Sequence, residues 1–288
     1  MLINKVRLTA KLIFLGIVTY VPTAFSANHG PSAAGIASAN KQATTVGFEI
    51  LAQGGNAFDA AVAVSAALSV VEPESSGLGG GGFFLLHRAR DGKSTFIDAR
   101  EKAPLAATRD MYLDADGNPQ RGKSVNGTLA AAIPGLPAGL VLVAERYGKL
   151  PLKQSLAPAI KLARNGYLWS AKNASMIGFR QEQLATSPAA AKLFLRDGKP
   201  PAIGQRMRNP DIAVVLERLA KDGHRGYYHG ATADALVKGV GGAGGLWTSA
   251  DFDQYQAVER EPLRFIYHGQ EILTAPPPSS GGVALVGL

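Results

Sequence analysis

Residues Ala57–Val71 are apolar on almost every side: Ala60, Ala61, Val62, Ala63, Val64, Ala66, Ala67 and Leu68 leave no polar stripe for water. Fifteen such residues, with Asn56 available as a cap and Glu72-Pro73 as a stop, predict a helix that must be wrapped by other elements. That excludes an extended or disordered chain and demands a sizeable core, which 288 residues supply for one large or two ordinary domains. Walls are expected on all sides of the helix, some of them from outside this sequence. A chain deprived of those walls is expected to be poorly soluble or molten.

A second helix is predicted just upstream, Ser38 to Gln53, with Ser38 as its cap and Gly54-Gly55 as its end. Downstream, the run Gly77-Leu78-Gly79-Gly80-Gly81-Gly82 leads into a strand, Phe83 to Ala89. A turn at Arg90-Asp91-Gly92-Lys93 and a second strand, Ser94 to Ala99, complete a hairpin. The remainder reads mainly as helices: Ala138 to Tyr147, Leu152 to Arg164, Ala171 to Ala185, Asn209 to Lys221 and Ala231 to Val240. A further hairpin joins Leu263 to Tyr267 and Glu271 to Thr274 through His268-Gly269-Gln270. Pro276 to Gly282 then breaks the chain. Val283 to Leu288 is apolar to the last residue, with no cap and no charge, so the chain is expected to continue beyond it.

The N-terminus reads as an export signal. Lys5, Arg7 and Lys11 precede the apolar run Leu12 to Val21, Pro22 breaks it, and Ala24-Phe25-Ser26 fits a small-x-small cleavage rule. Residues 1–26 are assigned as a signal peptide and 27–288 as the mature region. The apolar run is shorter than the about 18 residues a membrane-spanning helix needs, so no stable membrane anchor is expected. Removing the signal takes three of the eight net positive charges, leaving a mildly basic chain with no aromatic-interleaved basic run, which argues against nucleic acid as a partner. The absence of cysteine removes disulfides, thiol catalysis and cysteine-ligated metals.

Few motifs carry chemistry. Gly117 to Ser124 matches G-x-x-x-x-G-K-S literally, but a solvated turn precedes it and a poor helix start follows, so a phosphate loop is rejected. His29, His87, His224, His229 and His268 show no ligand spacing, and no metal or other cofactor is expected. The glycine run permits either an anion cradle of backbone amides or close backbone packing. In Asp98-Ala99-Arg100-Glu101-Lys102-Ala103-Pro104, strand alternation sends Asp98 and Arg100 to one face and Ala99 and Glu101 to the other. Arg100 there could clamp a carboxylate, or form a structural salt bridge with Asp98.

Together these segments resemble the bacterial gamma-glutamyltransferases (glutathione hydrolases). The resemblance is carried by Gly54 to Ala63, Gly77 to Phe83, Ile97 to Pro104, Pro134-Gly135, Tyr147-Gly148, Leu162-Ala163-Arg164 and Pro276 to Gly282, in the family's order. It implies an α+β fold, the αββα sandwich of the N-terminal-nucleophile hydrolases, incomplete here. The proenzyme of that family cuts itself into two subunits and uses the small subunit's first threonine against γ-glutamyl amides such as glutathione. The resemblance covers the large-subunit part only, so no catalytic residue is expected within this chain and the small subunit is its expected partner. Arg100 matches the arginine that holds the substrate α-carboxylate, and Glu101 a glutamate expected to support it from the other face. The implied location is periplasmic or secreted. A related acylase acting on cephalosporin side chains, and a non-catalytic secreted relative, are the competing readings.

Overall fold

The computed structural model describes residues 34–287. The chain divides into two units, 1–35 and 36–288, and the account below concerns the second. The expected signal peptide lies outside the described residues.

Helix α1 spans Lys41–Ala52 and is capped by Asn40, whose side chain accepts from the Gln42 amide. Ser38, the expected cap, instead donates its hydroxyl to the Asn40 carbonyl and shares a hydrogen bond with Thr44 Oγ1. Asn40 wins because it sits at the residue where the backbone is still extended and its carbonyl oxygen reaches the first free amides. Helix α2 is Ala57–Val71, as the sequence predicts. Asn56 accepts from the Phe58 and Asp59 amides while the Asp59 carboxylate accepts from Asn56 N, a reciprocal capping box.

Strands β1 (Gly82–Arg88) and β2 (Lys93–Ala99) form the expected hairpin, with Phe83 opposite Asp98 and Phe84 opposite Ile97. After the short exposed helix α3 (Arg121–Val125) and a 3-10 turn (Thr128–Ala130) come α4 (Leu136–Tyr147) and α5 (Leu152–Asn165). Helices α1, α4 and α5 wrap most of α2, while Ala61, Ser65 and Leu68 along one side remain only partly covered. Small residues explain the close fit, because Ala60, Ala63, Ala66 and Ala67 let neighbouring backbones approach.

Strand β3 (Tyr167–Leu168) is followed by α6 (Ala171–Phe179), α7 (Gln181–Ala185) and α8 (Pro188–Phe194), and β4 (Arg206–Met207) pairs with β3. The single helix expected over Ala171–Ala185 is thus broken at Arg180, two residues after Gly178, whose low helix propensity weakens the final turn. Helix α8 was not predicted, although Ser187-Pro188 at its start is a helix signal: the Ser187 hydroxyl accepts from the Ala190 amide. Helices α9 (Pro210–Asp222), α10 (Arg225–Tyr228), α11 (Gly230–Gly242) and α12 (Ser249–Asp253) complete the helical part.

Strand β5 (Val258–Arg260) adds antiparallel to β2, giving a three-stranded sheet ordered β1-β2-β5. One face carries Phe84, Ile97 and Ala99 and packs on α4, where Gly139 leaves room for Ala99 and Phe84 that a Cβ would fill. The other face carries Phe83, Leu85 and Phe96, with Leu85 46% exposed. Strands β6 (Leu263–Tyr267) and β7 (Gln270–Thr274) form the second predicted hairpin. Its two-residue turn places both His268 (φ 47°) and Gly269 (φ 76°) in the left-handed region that such turns require.

Pro276–Gly282 does not break the chain throughout, because helix α13 runs from Ser280 to Val286. The proline turn ends at Ser279. Gly282 then passes so close to the Ala275 carbonyl that a side chain would collide.

Candidate active site

A cavity of about 670 Å3 opens between the end of α2, the glycine run and the start of β1. Arg100 and Glu101 both border it, together with Ser65 and Leu68 of α2 and Ser76. The opposite-face reading of Arg100 and Glu101 therefore fails. Ladder pairing stops at Ala99, opposite Gly82, and strand alternation does not extend past the last paired residue.

Asp98 does not pair with the Arg100 side chain. Its buried carboxylate accepts from Arg260 Nε at 2.9 Å and from the Arg100 backbone amide at 3.1 Å. Arg260 thus fills the structural pairing, and the Arg100 guanidinium is left 59% exposed at the cavity. It lies 6.0 Å from the centre of the Phe83 ring and its Nε is 3.5 Å from Glu101 Oε2, a loose contact. The backbone beneath it is held on both sides, since the Tyr255 hydroxyl donates to the Arg100 carbonyl at 2.7 Å. Burial, reinforced by the negative charges of Asp98 and Glu101, pushes the Tyr255 phenol well above its usual range, so it remains a donor at neutral pH. Tyr255 stacks on Tyr228, which in turn stacks on His224. Burial lowers the His224 pKa, and its Nε2 is 2.9 Å from the Tyr255 carbonyl.

Glu101 Oε2 is buried and has no hydrogen-bond partner among the described residues. It fits against the glycine run because Gly81 has no side chain: a Cβ there would lie 2.6 Å from both Glu101 Oε2 and the Ala99 carbonyl. Close packing is what Gly81 provides. The run also presents the Gly80 carbonyl, which accepts from the Gly135 and Leu136 amides at 2.9 Å and ties the cavity wall to the start of α4. Gly135 is itself required, since a Cβ would overlap the Tyr255 hydroxyl and the Ala99 carbonyl.

Of the remaining candidates, Gly117–Ser124 lies in an exposed turn and the start of α3, without the buried strand a phosphate loop needs. Residues that sequence reasoning missed are Tyr255, Arg260 and Gly135. Tyr255 and Arg260 sit more than 150 positions from Arg100 in sequence and carry no motif, whereas the Pro134-Gly135 pair was visible without its reason.

Replacing Tyr255 by phenylalanine should release the Arg100 carbonyl. In the whole protein, KM for a substrate held by Arg100 is expected to rise about tenfold with kcat nearly unchanged. Steady-state kinetics on the variant check this, and an equal fall in kcat would contradict it.

Known proteins share this arrangement of helices and small sheet. The gamma-glutamyltranspeptidase of Helicobacter pylori superposes with a TM-score of 0.84 at 37% identity, covering 87% of this chain and 72% of that one. The architecture is accordingly α+β, of the N-terminal-nucleophile hydrolase class. Residues 43–288 match the family Gamma-glutamyltranspeptidase, and the chain belongs to that family. A glutathione hydrolase proenzyme from Pseudomonas sp. (strain A14) is 42% identical over 251 residues, which is 87% of this chain and 44% of that protein. An acylase proenzyme, ACY 1 of Pseudomonas sp. (strain V22), is 39% identical over 84% of this chain and 44% of its own length. The chain spans less than half the length of these curated relatives.

Proposed function

We propose that this chain is the substrate-carboxylate half of an exported enzyme that cleaves γ-glutamyl amides such as glutathione. The observation that carries the reading is Arg100: a guanidinium left unclaimed by Asp98, with its backbone pinned by Tyr255 and Asp98, facing a cavity. Two parallel hydrogen bonds from such a group match the α-carboxylate of a γ-glutamyl donor. Glu101, beside it, limits where the guanidinium can swing and acts as a positioning residue.

The nucleophile is a threonine of the small subunit, encoded beyond Leu288 and freed by self-cleavage of the proenzyme. Its hydroxyl attacks the γ-amide with its own α-amine as base, and the acyl group then passes to water or to an amino-acid acceptor. Residues 1–26 direct export, and the mature region works in the periplasm or outside the cell.

The reading is tested by assaying a γ-glutamyl anilide. The whole protein should release the anilide and the 288-residue chain alone should not. Clear turnover by the 288-residue chain, abolished by Arg100→Ala, would overturn the placement of the nucleophile. Similarity to an acylase favours a second reading, hydrolysis of a different amide. Free glutamate should compete if Arg100 binds an α-amino acid and should have no effect on such an acylase.

A further inference from the structure

On the other side of the glycine turn lies a second cavity, of about 780 Å3, that the γ-glutamyl reading does not use. Leu78 and Gly79 form its wall on that side, and Gly79 also borders the cavity at Arg100. Its floor is apolar, built by Ile212 and Val215 of α9 and by buried Tyr227, whose hydroxyl donates to the Leu78 carbonyl at 2.8 Å. Its rim is cationic: Lys192 and Arg196 come from α8 and the residues just after it, and Arg208 precedes α9. One acid, Asp211, stands against these three cations.

Some arginines among the described residues are neutralised by acids, and the cations of this rim are not. Arg88, Arg146, Arg164, Arg260 and Arg264 each meet a carboxylate. Lys192, Arg196 and Arg208 form no ion pair among the described residues. Arg196 instead donates to the Leu195 and Lys192 carbonyls, at 2.7 and 3.2 Å, and Arg208 Nε lies 3.4 Å from the Asn165 carbonyl. Backbone carbonyls fix a guanidinium in place without neutralising it, so the rim keeps its positive charge over an apolar floor. The volume lies within the range of about 300–1,000 Å3 typical of small-molecule sites.

We propose that this cavity binds a small organic anion with an apolar body, of the class of an N-blocked amino-acid carboxylate. The apolar part rests on Ile212, Val215 and Tyr227, and the carboxylate meets Lys192 and Arg208. The site is separate from the Arg100 cavity and does not depend on the γ-glutamyl reading.

Calorimetric titration with N-acetylleucine and with its neutral amide tests the proposal, because the two probes differ only in the charged group. The acid is expected to bind at least about tenfold more tightly than the amide, the scale of a charge-assisted hydrogen bond. The paired change Lys192→Gln with Arg208→Gln should erase that preference, the charge-keeping pair Lys192→Arg with Arg208→Lys should retain it, and Arg100→Ala should leave it unchanged. Equal binding of acid and amide by the unaltered chain, or no binding of the acid, overturns the proposal without any variant. Survival of the preference in the Gln pair, or its loss in Arg100→Ala, overturns the placement, the latter by moving the anion into the first cavity.

Discussion

Replacing Arg100 by alanine in the whole protein is expected to lower kcat/KM for a γ-glutamyl anilide by about 100-fold or more. A bidentate guanidinium–carboxylate contact contributes about 3 kcal/mol when its partner is desolvated, and each 1.36 kcal/mol is about tenfold in rate. The loss should appear mainly in KM, because the α-carboxylate is held alike in ground and transition states. Arg100→Lys should recover only part of it, since an ammonium cannot reproduce the planar fork. Thermal stability should barely move: the side chain is half exposed, and its contact with Glu101, at 3.5 Å, is of the weak surface kind. An unchanged kcat/KM for Arg100→Ala would remove the carboxylate clamp from this site.

The largest effect on stability is expected at Asp59, far from the cavity. Its side chain is fully buried at the start of α2 and accepts from three backbone amides: Asn56, Lys149 and Leu150, at 2.9 to 3.2 Å. Two of these belong to the turn between α4 and α5, so one carboxylate joins the capping box of the central helix to the loop that positions its neighbours. Gly148 makes room for it, since a Cβ there would stand 2.6 Å from Asp59 Oδ1. Asp59→Ala strands those amides and is expected to cost about 3 kcal/mol. For a chain of this size that lowers the melting temperature by roughly 6–12 °C. Thermal denaturation followed by circular dichroism measures this, and a shift of a degree or less would show that water replaces the carboxylate at no cost. Asp59→Asn should fall between the two, keeping one acceptor oxygen.

Local chemistry was legible wherever one segment decides its own structure. Asn56 and Asp59 announce the start of α2, Glu72-Pro73 its end, and the strand–turn–strand pattern from Phe83 to Ala99 its hairpin. In each case the deciding hydrogen bonds join residues close in sequence or adjacent in one ladder. Ser38 against Asn40 shows the limit of that reasoning, because two good caps stood two residues apart and only the position where the backbone turns helical chose between them. Arg180 shows it again, in a stretch whose composition suits one helix but whose chain folds as two.

The surroundings of Arg100 lay beyond the sequence for a different reason. Strand alternation placed it beside Asp98 and left a salt bridge between them as open as a substrate clamp. Arg260 arrives on β5 and occupies the Asp98 carboxylate, which excludes the Asp98 salt bridge, and Tyr255 holds the Arg100 carbonyl from beyond α12. A carboxylate can satisfy only so many donors, and which donor reaches it is fixed by which strands become neighbours. The sequence by itself determined the long helices α1, α2, α4, α5, α9 and α11, the two hairpins and the residues capable of holding a carboxylate. Only the tertiary structure, by bringing β5 against β2 and closing the glycine run over Glu101, decided which of those residues was left free to face a cavity.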